Sequence, residues 1–334
     1  MSESISEVDI LPNGCSFCEE FVSKLHRLGT SLTGPFLKDL GDFTARIKKE
    51  GLGKPYDCVI GVSGGVDSSW VLVKAVEAGL RPLAVHMDNG WNSDLAVSNI
   101  HNLISKLDVD LFTYVIDWGE YRSLMESFFS ADVIDVELLY DNAATAVCYL
   151  KARELGVKAI LSGSNTATEG FRMPSTWSWK DKRDGTNIKA IAQHSGVSIS
   201  SFPLYTNRLF LMDTFFRGIK WEPFLDYFPY DRDEVLQSLQ NEFGYRPYPY
   251  KHYENVFTRL YQGFLLPEKF GVDKRIPHLS ALVCTGQLSR QEAYRIVSEA
   301  TPYPSLQDLE TDKLYFLKKM DWPLEKLEVY LSRP

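Results

Sequence analysis

Cysteine is scarce: five residues in 334, at Cys15, Cys18, Cys58, Cys148 and Cys284, too few and odd in number for a disulfide framework. Cys58 and Cys148 stand in apolar runs, as small buried hydrophobes do. The opening residues, MSESISEVDI, lack the basic and apolar regions of a signal peptide. Nor does any run approach the roughly eighteen apolar residues that a membrane-spanning helix needs. A soluble, cytoplasmic protein without membrane insertion is expected. Basic charge is short as well, with 36 Lys and Arg against 44 Asp and Glu, for a net charge of −8. No broad cationic surface is offered to nucleic acid, which weighs against that class of partner. Internal repeats and low-complexity tracts are missing too, which excludes solenoids and arrays.

What the sequence does hold is enough apolar residue, 44%, for a substantial core. Its organising stretch is Asp57 to Leu72, DCVIGVSGGVDSSWVL. Cys58, Val59, Ile60 and Val62 read as a buried strand, followed by a glycine turn and an amphipathic helix starting near Asp67. Gly64 and Gly65 let backbone N–H groups approach an oxyanion, Ser63 and Ser68 add hydroxyls, and the helix dipole points at the same spot. Neither the G-x-x-x-x-G-K-[ST] loop nor G-x-G-x-x-G is present. Ser63-Gly64-Gly65-Val66-Asp67-Ser68 instead resembles the SGGxDS loop of the PP-loop (N-type) ATP pyrophosphatases. That resemblance implies ATP, bound through its β- and γ-phosphates, and release of pyrophosphate.

Ahead of this loop stands Asn13-Gly14-Cys15-Ser16-Phe17-Cys18, a C-x-x-C with zinc-knuckle spacing. Zinc, a redox pair and two unliganded thiols are all open readings. Pro35 to Glu50, with Phe36, Leu37, Leu40, Phe43 and Ile47 at helical spacing, predicts a helix. Strands are expected at Pro82–Met87, Leu111–Ile116 and Val157–Leu161, and helices at Asp94–Leu107, Tyr121–Phe129 and Asp141–Leu155. This alternation predicts an α/β fold with a doubly wound parallel sheet of the HUP (adenine nucleotide α-hydrolase-like) type, followed by a mainly helical C-terminal portion. Three regions are expected: 1–54, 55–200 and 201–334.

In such sheets the ligand lies beyond the carboxyl ends of the strands. By resemblance to N-type pyrophosphatases, His86-Met87-Asp88 is where adenine is held, with Met87 beside the ring; a buried strand-end Met is the other reading. Gly163 would let backbone approach the nucleotide and Asn165 would hydrogen-bond it. Asp67 is a candidate Mg²⁺ ligand, or simply a helix cap.

After Glu169 the alternation ends. Trp177–Lys189 carries Lys180, Lys182, Arg183 and Lys189, which could face an anionic substrate or only solvent. Phe210–Phe228 is expected to be helical around Gly218, and Glu234–Phe243 to be a further helix. Lys251, His252, Glu254, Thr258, Arg259, Gln262, Lys269, Asp273, Lys274, Arg275 and His278 interleave with aromatics, one face on the core and the other on a site. Ser289 and Glu292 begin a capped helix running to Ala300.

Together, YDCVIGVSGGVDSS, PLAVHMDNGWNSDLAVSNI, FTYVIDW, ILSGSNTATEG, KHYENVFTRLYQGFLLPEKFGVDKR and GQLSRQEA resemble the N-acetyl sugar amidotransferases of bacterial surface-polysaccharide (O-antigen, lipopolysaccharide) synthesis, from about Asp9 to about Ala300. The resemblance implies ATP-dependent conversion of the acetamido group of a nucleotide-linked sugar to acetamidino, with AMP and pyrophosphate released. It also implies a zinc site of two C-x-x-C pairs, of which this sequence holds Cys15 and Cys18. The candidate catalytic set is Asp67 with Lys251, Arg259, Lys274 and Arg275, the four cations neutralising phosphate or the sugar's carboxylate and diphosphate. No glutaminase triad is apparent, so a separate glutaminase subunit with a barrel-type ammonia-channelling protein is the expected partner. A tRNA-modifying enzyme of the thiolation or lysidine type, or a noncatalytic nucleotide-binding subunit, are the alternatives.

Overall fold

The computed structural model describes residues 9–11, 14–27, 39–177, 179, 181–299 and 301–333. Five parallel strands form its main sheet: β1 (Cys58–Gly61), β2 (Pro82–Asp88), β3 (Leu111–Val115), β4 (Ala159–Ser162) and β5 (Lys220–Pro223). Their order is β3-β2-β1-β4-β5, with Cys58 opposite both Pro82 and Ala159. β1 takes the centre because Cys58, Val59 and Ile60 are apolar and fully buried on both faces. Its side chains alternate between two cores. Val59, Val85 and Ile160 pack with helices Trp118–Ser130 and Leu138–Leu155, whereas Cys58, Ile60 and Leu161 pack with helix Val66–Glu77. This is the doubly wound α/β class that the sequence predicts.

The chain runs outward from β1 to β3, then returns to β4 and β5 on the other side. The reversal between β1 and β4 opens a crevice beyond their carboxyl ends, where such sheets bind ligands.

Local signals place most helices. Asp94–Leu107 forms as expected, with Ser93 Oγ accepting from Ala96 N at 3.1 Å. Leu138–Leu155 starts before the expected Asp141 and ends at Gly156, whose φ of +67° closes the helix. The expected helix over Pro35–Glu50 is described as Leu40–Glu50. Pro35, Phe36 and Leu37 lie outside the described residues, as do Asn13, Lys180 and Ala300.

The reading of Phe210–Phe228 as helical is corrected. The stretch holds the end of a helical turn (Asn207–Leu211), a wider turn (Met212–Phe216), β5, and a short turn (Phe224–Tyr227). Its aromatics follow no single helical face, because Phe224 is buried in the core while Phe215 and Phe216 are 74% and 86% exposed. β5 itself reads KWEP, a short half-exposed edge strand with no apolar alternation to betray it.

The C-terminal portion is helical and stitched to the sheet. Asn92 and Asn255 form an antiparallel bridge; Val256 N donates to Trp91 O at 2.7 Å and Ser93 N to Glu254 O at 2.9 Å. The Trp91 indole, wholly buried, packs against Trp118, Phe257, Tyr315 and Phe316. Among the described residues no helix is long and apolar enough to cross a membrane.

Candidate functional site

A cavity of about 340 Å³ lies beyond β1 and β4, lined in part by Ser63, Gly65, Asp67, Ser68, Gly163 and Lys251. The loop from Ser63 to Ser68 is shaped by its own side chains. Ser63 N donates to Ser68 Oγ at 3.2 Å, Gly65 N to Ser63 Oγ at 3.2 Å, and Ser68 Oγ to Gly65 O at 3.1 Å. Gly65 is the N-cap of helix Val66–Glu77 and supplies no side-chain cap, so the first-turn N–H groups await an outside acceptor. Gly64 has φ +84°, and a Cβ there would stand 2.9 Å from Ala96 O. A Cβ on Gly163 would meet Ser68 N at 3.0 Å, so β4's loop can close on the helix start only as glycine. Backbone approach explains both positions.

Charged groups converge on the same cavity. Lys251 Nζ lies 2.6 Å from Glu169 Oε1 and 3.8 Å from Asp67 Oδ2, while the Tyr230 hydroxyl donates to Asp67 Oδ1. Burial raises the Asp67 pKa against the pull of Lys251. At Glu169 burial acts upward too, but the Lys251 ammonium outweighs it and the pKa falls below the ordinary value. Burial would discharge Lys251, yet Glu169 and Asp67 raise its pKa and keep it charged. Glu254 is a third carboxylate on this wall, 3.8 Å from His252 Nδ1. With Asp141, which pairs with Lys182, four carboxylates line the cavity, and a loop of backbone N–H groups beside Asp67, Glu169 and Glu254 suits a polyanion that arrives with divalent cations.

A second cavity of about 670 Å³ adjoins the first and shares Glu169, Arg232, Lys251, His252 and His278 with it. His278 Nδ1 stands 3.3 Å from Thr168 O, so that nitrogen carries the proton. Burial, then the charges of Lys251 and His252, push its pKa down to about 3, leaving a neutral ring.

Arg259, Lys274 and Arg275 do line this second cavity, but each is held by a carboxylate of the protein. Arg259 makes a two-pronged pair with Asp312 at 2.6 and 2.6 Å, Lys274 reaches Glu137 at 3.2 Å, and Arg275 reaches Asp273 at 2.7 Å. Only Lys251 among the four cations lines the cavity of the Ser63–Ser68 loop.

Other candidates fall elsewhere. Met87 is 3% exposed within the core and lines neither cavity. Asn165 caps the turn Thr166–Glu169, its Oδ1 accepting from Thr168 N at 2.8 Å, and likewise lines neither. Lys182, Arg183 and Lys189 of the basic run also miss both walls; Lys182 pairs with Asp141 at 2.6 Å and Arg183 with Asp181. Tyr230 and Arg232, on the other hand, carried no motif signal in the sequence and stand on the wall.

Cys15 and Cys18 place their sulfurs 3.0 Å apart, and the Cys18 thiol donates to Cys284, all three against Phe17 and Phe171. Among the described residues no group of three or more His, Cys, Asp or Glu side chains is disposed to hold a metal ion. The zinc expected at Cys15 and Cys18 is thus not shown by the described residues.

No curated protein matches the chain. Among solved structures it is similar to NMN synthetase from Francisella tularensis, with 15% identity, 73% of this chain and 100% of that one covered, and a TM-score of 0.32. It is also similar to NH3-dependent NAD synthetase from Campylobacter jejuni subsp. jejuni NCTC 11168 in complex with the nitrate ion, with 14% identity, coverage of 70% and 99%, and a TM-score of 0.31. Residues 254–334, which supply Glu254 to the first cavity and Arg259, Lys274 and Arg275 to the second, match the family model described as LPS biosynthesis protein WbpG-like, C-terminal domain, in agreement with the surface-polysaccharide family read from the sequence.

Proposed function

We propose that the protein is an ATP-dependent, AMP- and pyrophosphate-forming amidotransferase that turns the acetamido group of a nucleotide-linked sugar into an acetamidino group. The observation that carries this reading is the start of helix Val66–Glu77, which no side chain caps, in a cavity that adjoins a second, larger one. One compartment suits the phosphates of ATP; the other has room for a sugar. The match of residues 254–334 to an LPS biosynthesis family supports a sugar acceptor.

The chemistry explains the need for ATP. Ammonia cannot displace the oxygen of an amide, because oxide and hydroxide leave poorly. In the proposed route the acetamido oxygen bonds to the α-phosphorus, the bond to the bridging oxygen breaks with its electron pair, and the amide N–H proton is lost. Ammonia then adds to the imidoyl carbon, AMP leaves, and a proton is released. The first-turn N–H groups, held in place by the hydrogen bonds among Ser63, Gly65 and Ser68, would hold the departing pyrophosphate, a preorganised donor set of the kind that lowers such barriers most. Asp67, with Glu169 within reach of the same ammonium, would hold Mg²⁺, which supplies charge neutralisation at the phosphates when bound. Lys251 would position both carboxylates. Ammonia would come from a separate glutaminase subunit through a barrel-type partner, in the cytoplasm.

The test is pyrophosphate release from ATP and Mg²⁺ with ammonium chloride and a panel of UDP-linked N-acetylated sugars, followed by mass spectrometry of the sugar. A product in which NH replaces O is expected. Sugar-independent release with transfer RNA, or no release at all, would overturn the reading. Efficient use of glutamine by the chain alone would overturn the partner assignment.

A further inference from the structure

Among the described residues, the two cavities share one cation that no carboxylate neutralises. Arg232 lines both. Lys251, Arg259, Lys274, Arg275 and Arg295 on these walls are each tied to a carboxylate, at Glu169, Asp312, Glu137, Asp273 and Glu292. Among the described residues the Arg232 guanidinium has no such partner, and Asp231, Asp233 and Glu234 beside it in the chain do not pair with it. Among the described residues the one hydrogen bond that Arg232 donates is from its backbone N, to Gln287 Oε1 at 3.3 Å.

Its place in the fold is also unfavourable without a ligand. Arg232 is the first residue of helix Arg232–Phe243, where the helix dipole repels a cation. The Asp231 carboxylate that could have compensated is turned to the backbone, accepting from Asp233 N and Glu234 N at 3.0 and 3.0 Å. The positive field of Arg232 reaches the neighbouring rings: at Tyr230, where burial raises the pKa, it opposes the rise, and at His278 it adds last to the lowering by burial, Lys251 and His252. A guanidinium without a carboxylate partner, on the wall that the two compartments share, suits an anion that must sit at their junction.

We propose that Arg232 is a catalytic residue that binds the α-phosphate of ATP where the phosphate compartment meets the acceptor compartment. The assignment rests on the amidotransferase reading. The α-phosphate is the group that must lie at this boundary, since its phosphorus takes the acceptor oxygen from one side and sheds pyrophosphate into the other. The guanidinium fork would meet the two non-bridging oxygens as their charge builds during attack. Lys251 cannot take this part, because Glu169 holds it.

The experiment compares wild type, R232K and R232M in sugar-dependent pyrophosphate release, with ATP binding measured separately by calorimetry and folding by urea denaturation. R232M is expected to lose about a hundredfold or more in kcat, as when a transition-state donor is removed, with the KM for the sugar within about threefold of wild type. R232K, keeping the charge without the fork, is expected to recover part of kcat. An increase confined to the sugar KM would move Arg232 to a carboxylate or diphosphate on the acceptor and overturn the assignment. Equal kcat in wild type and R232M would overturn it too. Wild type that binds ATP but forms no pyrophosphate with any sugar would remove the amidotransferase reading, and this assignment with it.

Discussion

Gly64→Ala separates packing from backbone freedom in the phosphate loop, because Gly53 provides a matched control. Both glycines have positive φ, +84° and +76°. An L-residue held there costs about 1–2 kcal/mol. Around Gly53 a Cβ would meet nothing within 4 Å, whereas at Gly64 it would lie 2.9 Å from Ala96 O, 3.0 Å from Ala96 Cα and 3.1 Å from Ala96 Cβ. Those atoms belong to helix Asp94–Leu107 and cannot swing aside like a side-chain end. Overpacking of this kind adds about 1–3 kcal/mol, so Gly64→Ala is expected to cost roughly 2–5 kcal/mol against about 1–2 for Gly53→Ala. Relief by shifting the loop would break the bonds from the Tyr245 and Tyr248 hydroxyls to Gly64 O, at 3.0 and 3.1 Å, and move the donors at Ser63 and Gly65. ATP affinity should then fall about tenfold or more, equivalent to about 1.4 kcal/mol. Urea denaturation of both variants, paired with ATP–Mg²⁺ titration calorimetry, reads both effects. Equal destabilisation of the two variants, with unchanged ATP binding, would refute the close-approach argument.

Asp135, 3% exposed, has its pKa pushed by burial from 3.8 up to about 6, with Lys182 at 3.4 Å only partly opposing. The folded state then binds the proton more tightly than the unfolded chain, so stability falls as pH rises from about 4 to about 6 and levels off above. The loss is roughly 3 kcal/mol, and Asp135→Asn should flatten that window in urea denaturation. A slope that survives the substitution would count against it. Asp312→Asn should cost about 3–5 kcal/mol, since it leaves Arg259 without its two-pronged partner and takes an acceptor from the Tyr303 hydroxyl at 3.1 Å; an unchanged urea midpoint would contradict this. Tyr230→Phe removes a donor that lowers the Asp67 pKa, so the acid limb of the pyrophosphate-release profile should move to higher pH. A stationary limb would separate Asp67 from the rate-controlling step.

The centre of the molecule was legible because its signals are local. A continuous apolar strand, two glycines and two serines within six residues, and a helix immediately after specify β1, the turn and the oxyanion-facing helix start. Residues whose roles depend on orientation were harder. Met87 and Val85 share a parity on β2 and therefore a face, and only the packed sheet shows that this face is a core. Asn165 had a local cue to its capping role, since Thr168 follows three residues on, but its place beside Gly163 suggested a ligand contact. For the basic residues the charge was visible and the partner was not, because Asp312 lies 53 residues from Arg259 and Glu137 lies 137 from Lys274. Arg232 illustrates the converse: nothing local distinguishes it, and it becomes conspicuous only when its neighbours are all found paired.

The bridge between Asn92 and Asn255 also sets a timetable for synthesis. The ribosome finishes β1, β2 and Trp91 long before it reaches Phe257 and Phe316, the rings that cover the indole. At ordinary elongation speeds that interval is roughly ten to fifty seconds. Throughout it a large aromatic of the core is uncovered, and nascent chains halted before Asn255 are expected to be cut by chymotrypsin at Trp91 while the released protein is not. The last helices to be made therefore act as the seal on the first half of the sheet, and the nascent protein is most exposed to chaperones and proteases just before they arrive.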